Sequence, residues 1–295
     1  MYATINGTRI FYDVDGKQVV YDETNGCMKE KPVCFILHGG PGGDHNIYGD
    51  NFHWLSEYMQ LVYIDYRGNG RSERGDKSLY TIEQYVEDIE ALRRYLGLEK
   101  VVVMGQSFGG IMSQAYAIKY PEYVAAVILI ATAPSCETMA NASQQLAERG
   151  TPEMLAYFNE VMRKGTFQND DDLYEYLTKF APLYTLYGAE KYRKEVGNCI
   201  LSHEASNVGL IDINTYNFLD ELHKIICPTL IMGGEQDFIA TIDQTHKIAE
   251  RVKDCEVVVI PDSSHEVFLD QPEKSKAAID LFVRERVVTL TKYCR

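Results

Sequence analysis

The sequence predicts an α/β fold: a mostly parallel central sheet, antiparallel strands at the N-terminus and a helical cap insertion. Three observations predict it. Short apolar runs without alternation recur along the chain, as strands buried on both faces require. Helical periodicity fills several of the gaps between them, which implies βαβ units with right-handed crossovers. The alternation then breaks between residues 135 and 224 and resumes beyond them. A length of 295 residues suits one large domain carrying an inserted subdomain.

Asn6-Gly7 opens the chain's structure as a strong hairpin signal between residues 2–5 and 8–14, because both turn positions tolerate positive φ. Asp15-Gly16 is a candidate second turn of the same kind, and polar residues 22–32 read as a loop. Residues 33–37 form the first buried run and end in His38-Gly39-Gly40-Pro41. Later runs cover 61–64, 101–104, 124–130, 229–232 and 257–260, ending at Asp65, Gly105, Ala131, Gly233 and Pro261. Residues 81–96 are helical: Thr81 is the N-cap, and Ile82, Val86, Ile89, Leu92 and Leu96 recur at helical spacing. Residues 111–120 form a second helical segment. Residues 135–224 are rich in charge and tyrosine, with helices expected over 151–163 and 170–180. They are read as the cap, so the core comprises 1–134 and 225–295.

Composition narrows the function classes. Forty-three acidic residues against 29 basic ones leave a net charge of −14. That surface repels phosphate backbones, so no nucleic-acid partner is expected, and the charge mainly confers solubility. The cysteines (Cys27, Cys34, Cys136, Cys199, Cys227, Cys255 and Cys294) are scattered, odd in number and free of CxxC spacing. This argues against a disulfide framework or a zinc site and suits a reducing cytoplasm. Residues 1–7 lack a basic stretch leading into an apolar one, and no apolar run is long enough to cross a bilayer. The expected setting is cytoplasmic, with no membrane partner.

Gly105-Gln106-Ser107-Phe108-Gly109 matches G-x-S-x-G and stands between a buried run and a helical segment. This is the strand–turn–helix setting of a nucleophile elbow. Ser107 is the expected nucleophile, placed where unpaired helix N–H groups favour developing negative charge. The glycine-rich stretch from His38 to Gly43 follows the first buried run. In folds with such an elbow, the second oxyanion donor comes from this loop, so the backbone N–H groups of Gly40 and Phe108 are the expected donors. The stretch has no lysine for a phosphate loop. His38, at a strand end, reads as a structural histidine.

A serine hydroxyl needs a base, and the base needs an orienting partner. With the order Ser, acid, His, the acid falls at Asp237 and the base at His265, each just after a buried run. Glu235 and Asp243 are local alternatives for the acid. His246 falls in a helical pattern over 242–252 and reads as a solvated surface residue; Asp262 braces the turn before His265. This machinery needs no metal and no organic cofactor.

With these residues in place the chain resembles the α/β-hydrolase superfamily, and within it the proline iminopeptidase group of serine peptidases. The specific matches are His38-Gly39-Gly40-Pro41-Gly42 and Asp65-Tyr66-Arg67-Gly68-Asn69-Gly70-Arg71-Ser72. The 65–72 loop reads as a structural brace. Cys227-Pro228-Thr229-Leu230 and residues 261–265 are more general superfamily features. The resemblance implies removal of N-terminal residues, often proline, with acidic residues anchoring the free α-amino group. Glu204 is the cap residue it points to. Two positions depart from the group: Phe108 stands where Trp or Tyr is frequent, and Phe238 where some relatives carry an amine-binding Glu.

The leading expectation is therefore an aminopeptidase-like amidase working through an acyl-enzyme on a small-molecule or short-peptide substrate. A carboxylesterase or lactonase would use the same machinery, with Phe158, Phe167, Tyr184, Tyr187 and Phe218 available to enclose an acyl chain. A non-catalytic ligand-binding receptor is the third reading, and the filled positions 107, 237 and 265 speak against it.

Overall fold

The computed structural model describes residues 1–293, so Cys294 lies outside the described residues. In chain order the strands are β1 (Tyr2–Ile5), β2 (Thr8–Asp15), β3 (Val19–Asp22), β4 (Cys27–Glu30), β5 (Val33–Leu37), β6 (Gln60–Ile64), β7 (Val101–Gln106), β8 (Val124–Ile130), β9 (Thr229–Gly234), β10 (Cys255–Ile260) and β11 (Lys292–Tyr293). The helices are α1 (Ile82–Tyr95), α2 (Phe108–Lys119), α3 (Glu137–Arg149), α4 (Pro152–Tyr157), α5 (Asp170–Tyr184), α6 (Ala189–Asn198), α7 (His203–Ile213), α8 (Ile242–Ala249), α9 (Val267–Asp270) and α10 (Pro272–Phe282).

The main sheet runs β1-β2-β6-β5-β7-β8-β9-β10. Pairs from β6 through β10 are parallel, while β1–β2 and β2–β6 are antiparallel. β5, β7 and β9 are buried at every residue. Their unbroken apolar character thus follows from cover on both faces. One core lies against α1, α2 and the inserted helices, and a second against α10 on the opposite face. The Asn6-Gly7 turn forms as expected, with φ of 45° and 74° and Ile5 paired to Thr8. Thr81 caps α1 by accepting the Gln84 N–H at 3.3 Å.

Two local expectations are corrected. Asp15-Gly16 makes no hairpin: the second neighbour of β2 is β6, and Asp15 pairs with Leu61. Residues 22–32 are not simply a loop, because β4 pairs with β3 and β11 in a separate three-stranded sheet. The Asp22 carboxylate accepts the N–H groups of Thr24 and Asn25 and so closes that turn. Strands of 4 residues with little buried face leave too short a pattern to read.

Helices α3 to α7 lie between β8 and β9. The helix expected over 151–163 starts as α4 and widens into a π-helical turn at Phe158–Met162. Among the described residues no helix is long and apolar enough to cross a membrane.

Candidate active site

Ser107 is the hinge between β7 and α2, with φ 57° and ψ −120°. Side chains rarely adopt this backbone region, so neighbours must hold it. The Ser107 N–H donates to the Ile130 carbonyl at 2.9 Å, and Thr132 Oγ1 donates to the Ser107 carbonyl at 2.8 Å. A Cβ at Gly105 would overlap the Gly109 carbonyl, and one at Gly109 would overlap the Leu37 carbonyl. The two glycines therefore let β7, α2 and β5 meet at backbone contact. Gly109→Ala is expected to cost roughly 3 kcal/mol by overpacking. A urea melt showing a lower midpoint at unchanged slope checks this.

Gly40 and Phe108 both face a cavity shared with Ser107. Their N–H groups have no partner among the described residues, as the first turn of a helix requires for Phe108. The Gly40 loop is held from outside: the Gly42 N–H donates to Asn69 Oδ1 at 2.9 Å, and the Ser202 N–H donates to the Gly42 carbonyl at 2.8 Å. Asn69 belongs to the 65–72 loop. Asp65 in that loop accepts the N–H groups of His45 and Arg71. Arg67 clamps the loop to α1 through both oxygens of Asp88. The Phe108 side chain points into the core, edge-on to Tyr66 and Tyr85.

The loops after β9 and β10 bring Asp237 and His265 together. A Cβ at Gly234 would overlap the Ser264 carbonyl, so glycine permits the approach. His265 Nδ1 lies 2.8 Å from Asp237 Oδ2. Asp237 Oδ1 accepts the Ile239 and Ala240 N–H groups at 2.8 and 3.0 Å. With both carboxylate oxygens committed, the imidazole carries its proton on Nδ1 and presents a bare Nε2. Burial pushes the His265 pKa down, but attraction and hydrogen bonding to Asp237, with the field of Glu266, outweigh it and leave it above the ordinary value.

Ser107 and His265 line two cavities together. No hydrogen bond joins the hydroxyl to the imidazole among the described residues; such bonds are often long before substrate binds and tighten afterwards. The competing residues lie elsewhere. His38 is fully buried, with Nδ1 bonded to the Gly39 carbonyl at 2.7 Å and Nε2 accepting the Tyr66 N–H. Glu235, Asp243 and His246 are exposed, and Asp262 occupies a turn at φ 54°.

Glu204 requires correction. It sits on the first turn of α7, partly exposed and ion-paired with Lys77, and it lines neither cavity. A carboxylate there finds a solvated lysine within reach and has no reason to turn inward. Of the five apolar cap residues, Phe167 and Tyr184 line the larger cavity. Phe158 is core, Tyr187 is exposed, and Phe218 borders a surface groove.

Sequence reasoning missed Glu266. It follows His265 directly, is 4% exposed and lines the larger cavity. Among the described residues it has no ion-pair partner, and burial pushes its pKa up to about 7 against the pull of His265 and Gln106. A carboxylate beside the expected base was visible in the sequence. The Glu266 N–H donates to the Tyr184 carbonyl of α5 at 2.9 Å, which anchors the backbone there. The remaining cavity wall is mostly apolar, including Phe167, Leu173, Leu177, Val196 and Leu201.

Comparison with known proteins places this geometry in context. The family model described as "alpha/beta hydrolase fold" matches residues 32–272. The proline iminopeptidase PfmaB of Pestalotiopsis fici is 30% identical over 278 residues, which span 92% of this chain and 94% of that protein. Among solved structures, the proline iminopeptidase of Mycobacterium smegmatis superposes with a TM-score of 0.76 at 19% identity, over 98% of this chain and 99% of that one. The enol-lactonase of Burkholderia xenovorans LB400 superposes with a TM-score of 0.69 at 23% identity, over 96% and 100%.

Proposed function

This chain belongs to the α/β-hydrolase family and is an enzyme of the hydrolase type, and on that footing we propose that it is a serine aminopeptidase or aminoacyl amidase similar to proline iminopeptidases. His265 Nε2 takes the Ser107 proton as Oγ attacks the substrate carbonyl carbon. The oxyanion is received by the Gly40 and Phe108 N–H groups, which need no reorganisation as charge develops. His265 then gives its proton to the leaving nitrogen, and the carbon–nitrogen bond breaks. Water, deprotonated by His265, attacks the acyl carbon, and the proton passes from His265 to Ser107 Oγ as the carbon–oxygen bond breaks and the acid leaves. Asp237 holds the imidazole and offsets its charge throughout.

The single observation that carries the choice of an amine-bearing substrate is Glu266: a buried carboxylate with no ion-pair partner among the described residues, in the cavity that also holds Ser107 and His265. A buried charge without a partner is costly. A substrate α-ammonium supplies that partner and restores the carboxylate to its charged form. A short peptide or aminoacyl amide is the substrate class this favours. Relatives named as proline iminopeptidases lend support. A cytoplasmic setting belongs to the same proposal and is supported by the unbridged state of every described cysteine.

The test is Glu266→Gln. Losing a charge-assisted contact worth about 1.5–3 kcal/mol is expected to lower kcat/KM for a prolyl arylamide by roughly 10- to 100-fold relative to phenyl acetate. Equal changes for both substrates, or brisk ester turnover with no arylamide turnover in the parent enzyme, would move the assignment to an esterase or lactonase. The apolar wall is what favours that second reading.

A pH profile gives an independent check. Only neutral His265 accepts the Ser107 proton, so ester turnover rises with pH through the pKa of this imidazole, which lies above its ordinary value. Glu266 favours the imidazolium. Glu266→Gln is therefore expected to move the acid limb to lower pH, and a limb that stays in place would contradict this coupling.

A further inference from the structure

Two cavities open from the reaction centre. Both are bounded by Gly40, Ser107, Met162, Tyr184, Leu210 and His265, and they diverge on either side of them. The first contains Glu266. The second runs along Phe108, Ile111, Ala133, Met139, Ile213 and Ile239 and has no Asp, Glu, Lys or Arg on its wall.

Its few polar side chains are already engaged. Thr132 Oγ1 donates to the Ser107 carbonyl at 2.8 Å, and Thr138 Oγ1 donates to the Ile239 carbonyl at 2.7 Å. The Tyr184 hydroxyl lies 3.2 Å from that of Tyr176. Apart from Ser107 and His265 themselves, no side chain on this wall has a free donor for an anion. The backbone amides of Ile239 and Ala240, near one end of the cavity, are also committed, to Asp237.

We propose that the second cavity is the leaving-group subsite and that it selects uncharged, apolar leaving groups against those carrying a carboxylate. This rests on the aminopeptidase reading in one respect: an α-ammonium held by Glu266 puts the acyl group in the first cavity. The two substituents of the attacked carbonyl diverge, so the leaving group then enters the second. In a dipeptide, the carboxylate of the leaving amino acid is one carbon from the departing nitrogen. It would be buried where no cation and no free side-chain donor compensates it, the Gly40 and Phe108 N–H groups being taken by the oxyanion. Converting it to an amide removes the charge.

The experiment compares kcat/KM within matched pairs: prolyl-leucinamide with prolyl-leucine, and 4-acetoxybenzamide with 4-acetoxybenzoate. The ester pair carries no α-amine, so it reports on the leaving group alone. The neutral member of each pair is expected to be preferred by at least about tenfold, because an unpaired carboxylate loses its hydration on entry. Ile239→Lys, adding a cation to a partly exposed wall position, is expected to shrink both ratios by severalfold, with a thermal melt confirming the fold. Rates within twofold for both pairs in the parent enzyme would overturn the inference.

Glu266→Gln separates this subsite from simple repulsion by Glu266. Ratios that persist in that variant support the subsite, and ratios that vanish overturn it. If the prolyl substrates are not turned over while the ester pair discriminates, the aminopeptidase reading fails; the leaving-group subsite then stands if Ile239→Lys shrinks the ester ratio and falls if it does not.

Discussion

Ser107→Ala is expected to lower kcat by roughly 10⁴- to 10⁶-fold, the scale seen when a serine nucleophile that acts as a unit with its histidine is removed. The substitution deletes one oxygen and keeps the backbone demand, since alanine and serine meet similar strain at φ 57°. The bonds from Ser107 N–H to Ile130 and from Thr132 to the Ser107 carbonyl involve backbone atoms at position 107 and persist. The fold should therefore survive, with a melting temperature close to that of the parent. Labelling by a fluorophosphonate should be lost together with turnover. A variant that retains turnover within tenfold would remove Ser107 from the chemistry. A parent enzyme that no fluorophosphonate labels, and that turns over no ester or amide, would favour the receptor reading.

Asp237→Asn is expected to lower kcat by about 10⁴-fold, again without unfolding the protein. The reason lies in how the carboxylate is used. One oxygen accepts two backbone N–H groups, from Ile239 and Ala240. An asparagine must therefore place its carbonyl oxygen there and turn its NH₂ toward His265. That NH₂ can only donate, so Nδ1 must accept. The proton moves to Nε2, and the imidazole can no longer take the Ser107 proton. Steady-state kinetics and the rate of fluorophosphonate labelling should fall together. A loss below about tenfold would make Asp237 a turn-bracing residue and reopen the question of the orienting acid.

The parallel sheet was legible because its strands leave an unmistakable mark. Val33–Leu37 and Val124–Ile130 are apolar without alternation because both faces are covered. The turn carrying Ser107 was legible because glycines at 105 and 109 are needed where backbones touch. The loops that bring Asp237 and His265 together follow strand ends, so their order along the chain was enough to pair them. The small sheet of β3, β4 and β11 was missed because β3 and β4 are short and little of either is buried. The widening of the chain into a π-helical turn at Phe158–Met162 was missed because helical periodicity does not distinguish it.

Glu204 and Glu266 mark where sequence reading ends. Each directly follows a histidine, and a sequence neighbour does not set which way a side chain turns. Lys77, 127 positions from Glu204, draws that carboxylate onto the surface. The Tyr184 carbonyl, 82 positions from Glu266 by its numbering, anchors the backbone that carries the other. By itself the sequence determined the sheet, the serine turn and the order of the three candidate residues, since these depend on local hydrophobicity, glycine placement and strand ends. Only the tertiary structure decided which carboxylate is buried and how the cavities divide, because burial and charge pairing are created by segments that meet only when the chain has folded.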